Sequence, residues 1–133
     1  MQRDVYLKAS KLFGEEHKET VREANNLAQL LLGMQRFGEA KALLHKAVPV
    51  ARRALGESDE TTLSMRWIYG GALFQDDNAT LDDLREAVMM LEETTRTARR
   101  VLGGARPLTM GIEDTLRDAR AALRAREAPS TSA

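Results

Sequence analysis

The chain has no cysteine among its 133 residues. Disulfides, thiolate zinc sites and cysteine nucleophiles are therefore excluded, and the composition suits the cytoplasm. Aromatic residues are scarce at 5%, and the three prolines leave long stretches free to be helical. No charge excess exists either: 20 Lys+Arg balance 20 Asp+Glu. That balance removes the bulk electrostatic drive toward nucleic acid or an anionic membrane, and no nucleic-acid partner is expected. Long apolar runs are also missing. The longest, Trp67 to Phe74, falls far short of the roughly 20 residues that span a bilayer. Met1-Gln2-Arg3-Asp4 leads into no apolar stretch of a signal peptide. No membrane association is expected.

What is present is 43% hydrophobic residues, mostly Ala, Leu, Val and Met, enough for one helical domain with a core. A pattern recurs three times: an apolar residue, glycine, five residues, threonine. It reads Phe13-Gly14 with Thr20, Leu55-Gly56 with Thr62, and Leu102-Gly103 with Thr109. Gly14 to Gly56 is 42 residues and Gly56 to Gly103 is 47, so the second unit is longer. Each copy reads as a helix stop followed by a helix start. Glycine supplies the positive φ of a C-terminal cap. Arg52-Arg53 and Arg99-Arg100 favour the preceding last turns. Asp59 then serves as N-cap, His17 takes the same place in the first copy, and Pro107 suits a first helical position.

Between these marks the apolar spacing is helical. Val21, Ala24, Leu27, Ala28 and Leu31 form one stripe; Ala40, Leu43, Leu44, Ala47 and Val48 form the next. Thr80 with Asp83 resembles a capping box. The expected helices are 1–13, 18–33, 37–54, 60–75, 80–101 and 107–126. Pro49 lies inside the third, where it removes a backbone donor, so a kink or break is expected near His45 to Val48. The helices pair into hairpins that cannot bury their apolar faces alone, and stacking solves this. The expected fold is all-α: an α-solenoid of antiparallel hairpins. It comprises a half repeat at 1–13, repeats at 14–55 and 56–102, a capping helix at 103–127 and a disordered tail at 128–133.

Asn25-Asn26-Leu27-Ala28-Gln29-Leu30-Leu31, Gln35-Arg36-Phe37-Gly38-Glu39-Ala40, Leu43-Leu44 and Lys46-Ala47 together resemble a tetratricopeptide repeat. The long period and the Leu-Gly junctions are similar to the repeats of kinesin light chains. The second unit is weaker, with Tyr69, Gly70, Leu73, Ala87 and Leu91 in place but Thr94 at a position usually small. In the third, Arg117 and Arg120 replace small or apolar residues, which suits a solvent-facing cap. The resemblance implies a right-handed superhelix whose concave face binds a peptide or protein segment. It places Arg22, Asn25, Asn26 and Gln29 on that face, matched by Ser64, Trp67, Ile68 and Gly71, then by Gly111, Asp114, Thr115 and Asp118. Trp67 reads either as a core residue or as a binding hot spot. A clamp for acidic chain ends is not expected, because Ile68 and Asp114 interrupt the basic and amide positions it needs.

The remaining polar residues suggest no chemistry. His17 and His45 are far apart and supply no metal set. Asp76-Asp77-Asn78 lacks the spaced ligands of a calcium loop. Ser10, Ser58 and Ser64 sit in no nucleophile motif. The chain is thus expected to be no enzyme, with no cofactor and no metal. An alternative to peptide binding is an assembly element or a fragment of a larger repeat protein. Residues 1–13 match a second helix whose first helix is missing, which leaves Val5, Tyr6, Ala9 and Leu12 as an edge that a partner or another copy could cover.

Overall fold

The computed structural model describes residues 2–14 and 16–128 and contains six α-helices within them. They are α1 (Gln2–Phe13), α2 (Lys18–Gly33), α3 (Phe37–Ala54), α4 (Glu60–Gln75), α5 (Leu81–Leu102) and α6 (Pro107–Glu127). Each helix packs on the next in sequence, and α4 also touches α2 and α6. This is the sequential packing of a tetratricopeptide-like array. The tail expected from residue 128 falls, from 129 onward, outside the described residues.

The junctions are built as the repeat implies. Gly14, Gly56 and Gly103 have φ of 88°, 94° and 86°. Gly103 also has ψ 157°, a combination essentially confined to glycine. His17 caps α2, its Nδ1 accepting from the Glu19 N–H at 3.0 Å, and its ring stacks on Phe13. Asp59 caps α4 through the Thr61 N–H at 2.8 Å. Thr80 and Asp83 form the reciprocal capping box of α5.

The repeated threonine ties hairpins together. The buried Thr20 hydroxyl lies 3.1 Å from the Ala9 carbonyl and 2.6 Å from that of Gly14. Thr62 repeats the first contact, reaching the Ala51 carbonyl at 3.4 Å. Thr109 is equally buried, but its hydroxyl has no partner.

The core runs from Val21 and Ala24 through Leu44, Val48 and Met65 to Tyr69 and Leu73. It continues in Leu63, Leu91, Ile112 and Leu116. With neighbours on four sides, α4 is buried nearly all round. At Gly70 a side chain of α5 approaches the α4 backbone: a Cβ there would lie 2.6 Å from Leu91 Cγ. Arg66 is drawn into this packing at 2% exposure. One Nη meets Glu93 at 3.3 Å while Nε has no partner. Burial, then the charge of Arg52, holds the Arg66 pKa below the ordinary guanidinium value, against the pull of Glu93 and Glu57.

Two expectations divide. Of the kink or break expected near His45 to Val48, the break is absent, because α3 is continuous through Pro49. Pro49 is exposed while Leu44, Ala47, Val48 and Ala51 around it are buried. The missing bond thus falls on the wet side, and packing holds the buried side helical. The expected edge also divides. Ala9 is buried and Tyr6 packs against the core, since both face α2; only Val5 and Leu12 stand exposed.

Candidate functional site

The helices that open hairpins, α2, α4 and α6, lie side by side. A groove of about 560 Å³ runs along them, lined by Gln29, Leu32 and Gly33, then Ser64, Trp67, Ile68, Gly71 and Gln75, then Thr115. Its position follows from the repeat. Residues four apart share a helix face, so Asn25, Gln29 and Gly33 form one row and Trp67, Gly71 and Gln75 the matching row. Polar contacts lock the rows together. The Ser64 hydroxyl donates to Asn25 Oδ1 at 3.2 Å. Trp67 Nε1–H donates to Thr115 Oγ1 at 2.8 Å.

Gln29, Ser64, Trp67 and Gly71 therefore line the groove as the resemblance implied. Asn25 sits behind it, held by Ser64. Asn26 is exposed and does not line it. Arg22 is exposed beyond its end and pairs with Glu19 at 3.3 Å. In the third row Asp114 and Asp118 stay outside, leaving Thr115 as the lining residue. Leu32, Gly33 and Gln75 were missed. Continuing each row by one helical turn would have found Gly33 and Gln75; Leu32 faces in from the flank.

Trp67 is both of the things its sequence position allows. Half-buried, it packs on the cluster that joins α4, α5 and α6. Its ring also lies over Gly111, where a Cβ would meet Cη2 at 2.7 Å. The exposed part of the indole forms groove wall. Glycine at 111 is thus what lets the ring lie flat across to α6.

No lining residue carries a charge. Trp67, Ile68 and Leu32 offer apolar contact. The amides of Gln29 and Gln75 can each donate to and accept from an extended backbone. Such a surface can bind by packing and neutral hydrogen bonds. The histidines are occupied elsewhere: His17 as a cap, and His45 with Nδ1 3.4 Å from Tyr69 Oη. Among the described residues, no helix is long and apolar enough to cross a membrane.

Residues 24–60 match the tetratricopeptide repeat family. The chain is also similar to a clustered mitochondria protein homolog of Debaryomyces hansenii, at 31% identity over 78 residues. That match covers 57% of this chain and 6% of the relative. No solved structure matches the chain.

Proposed function

Given that residues 24–60 carry a tetratricopeptide repeat, we propose that the chain is a protein-binding module that seats an uncharged segment of a partner polypeptide between α2, α4 and α6. Tetratricopeptide repeats generally mediate protein–protein interaction, and the groove specifies what kind. The observation that carries the reading is a lining without charge around Trp67. A charged segment would lose its hydration there and gain no counter-charge. A neutral one with an apolar side chain would bury it against Trp67 and Ile68 and pair its backbone with Gln29 and Gln75. The similarity to a small part of a much longer protein is in keeping with a module rather than a catalytic unit. The reading involves no cofactor and no catalytic step.

Trp67 is the one tryptophan of the chain, so its fluorescence reports occupancy of the groove directly. Peptides selected from a random display library should be neutral and apolar, and should change that fluorescence on titration. Changing Gln29 and Gln75 together to Glu keeps size and exposure but adds two charges at the rim. We expect about tenfold weaker binding with unchanged circular dichroism. Selected peptides rich in acidic or basic residues, or binding indifferent to the double variant, would refute the reading.

A second reading has its own observation. Counting back from each junction glycine aligns Val5 with Ala47 and Thr94. Those two are 7% and 0% exposed beneath the first helix of their hairpins, whereas Val5 is 44% exposed. The edge at α1 therefore lacks a covering helix, and we infer that it takes one from a neighbouring polypeptide segment. A second copy is a poor candidate, because its α1 is the equivalent of a second helix, not of the first helix that opens each complete hairpin. Light scattering should find a monomer at every concentration, and a dimer abolished by Val5→Asp would reverse that choice.

A further inference from the structure

The other edge of the molecule carries an opposite chemistry. Between α5 and α6 lies a second groove, of about 430 Å³, with no residue of α4 in it; it therefore opens away from the body of the array. Leu116 and Thr95 line it together with four arginines, Arg96, Arg117, Arg120 and Arg124. The repeat shows how unusual this is. Arg117 and Arg120 align with Gly70 and Leu73, which α4 buries against its following helix. An arginine cannot occupy a place where even a Cβ would lie 2.6 Å from the neighbouring leucine. Another apolar hairpin helix therefore cannot dock on α6 as α5 docks on α4.

The two carboxylates in this groove are already engaged: Glu92 with Arg120 at 2.9 Å, and Glu113 with Arg99 at 2.7 Å. Arg117 pairs with Asp114 outside the groove at 3.1 Å. Among the described residues, Arg96 and Arg124 have no carboxylate partner. The Thr95 hydroxyl is also without a hydrogen-bond partner.

We propose that this groove is a second binding site, selective for an acidic peptide segment that carries an aliphatic residue between its carboxylates. The site goes beyond the neutral groove and does not depend on it. Guanidinium groups form bidentate, charge-assisted bonds with carboxylates. Arg117, Arg120 and Arg124 share one face of α6 over about 10 Å, with Arg96 facing them from α5. An aliphatic residue between the carboxylates packs on the methylene stems of the arginines, over the floor made by the nearly buried Leu116. A phosphate backbone is a worse fit. Its uninterrupted charge would run against Glu92 and Glu113, and the groove has no aromatic ring on which a base could stack. A membrane surface is also a worse fit, since the one apolar side chain of the lining, Leu116, is buried and has nothing to insert.

The test is fluorescence anisotropy of the whole chain with a labelled peptide made of glutamate and leucine. The same peptide with glutamine for glutamate, an oligouridylate of matched charge and phosphatidylserine vesicles serve as competitors. The acidic peptide should bind, weaken with salt, and resist all three competitors. Arg96→Ala with Arg124→Ala removes the two unpaired charges and should weaken binding about tenfold. Arg36→Ala with Arg53→Ala, which removes as much charge elsewhere, should not. The Glu substitutions at Gln29 and Gln75 should leave this binding unchanged, so the two sites fail or stand separately. Equal binding of the glutamine peptide, displacement by oligouridylate or vesicles, indifference to the Arg96 and Arg124 substitutions, or no binding below about 1 mM would each overturn the proposal.

Discussion

Thr20, Thr62 and Thr109 occupy one position of the repeat and are all buried, yet they do not do the same work. Thr20 gives its hydroxyl to carbonyls of the preceding junction, whereas the Thr109 hydroxyl has no partner. Valine keeps the shape and removes the hydroxyl. Thr20→Val should cost about 1 kcal/mol, because it removes a hydrogen bond that the methyl cannot replace. Thr109→Val should be neutral within about 0.5 kcal/mol, or stabilising, because it removes an unsatisfied group. Urea denaturation of the two variants checks the contrast, and equal losses would contradict it. Tyr69 gives a second prediction at this scale. Burial, then the charge and hydrogen bond of Glu86, pushes its pKa up to about 12. An unfolded tyrosine ionises near 10. The folded state therefore holds the proton more tightly, and its advantage is complete below about pH 10. Stability should fall as pH rises from about 10 to about 12. Tyr69→Phe should remove this part of the alkaline loss, and parallel pH profiles for the two proteins would disprove the assignment.

At the scale of the element, Pro49 shows where local chemistry and packing disagree. It deletes one hydrogen bond of α3 but points to solvent, and the buried side of the helix is uninterrupted. Pro49→Ala should therefore restore a bond without disturbing the core, stabilising the chain by about 1–3 kcal/mol. Thermal unfolding would show this, and a loss would mean that the ring itself packs against something. The expectation of a break failed because propensity is local, whereas Leu44, Ala47, Val48 and Ala51 hold the helix through contacts with other elements. The limits of the helices were legible for the opposite reason. Gly14, Gly56, His17, Asp59, Thr80 and Pro107 act on their own neighbours. The groove was legible in part. The repeat register put Gln29, Ser64, Trp67 and Gly71 on one face, but it could not say how far along each helix the face stays open. The register marks position 66 as buried, since its equivalent Ala24 is in the core, but it could not show that an arginine would be taken in there.

For the whole molecule, zero net charge conceals two unlike edges. The α1 edge exposes Val5 at a position both complete hairpins bury. The α6 edge places Arg117 and Arg120 where the preceding hairpin has glycine and leucine. In a stacked array each interface adds its own increment of stability, so the two edges should respond differently to one more helix. A copy of α2, its turn and the start of α3, residues 18–43, joined ahead of Gln2, which aligns with Leu44, would complete the first hairpin and cover Val5. It should raise stability by about 1–2 kcal/mol, read as a higher urea midpoint with a larger m-value. Val5→Asp should cancel the gain in the extended chain while changing the original chain little, since Val5 is exposed there. A copy of α5 joined beyond Glu127 should add nothing, because its leucine would meet Arg117 where α4 offers Gly70. Arg117→Gly with Arg120→Leu should then let that helix dock. If the α5 copy stabilised the unaltered chain, or the α2 copy did not, the asymmetry of the edges would have to be abandoned. Growth from the α1 side alone follows from side-chain volume and charge at three positions.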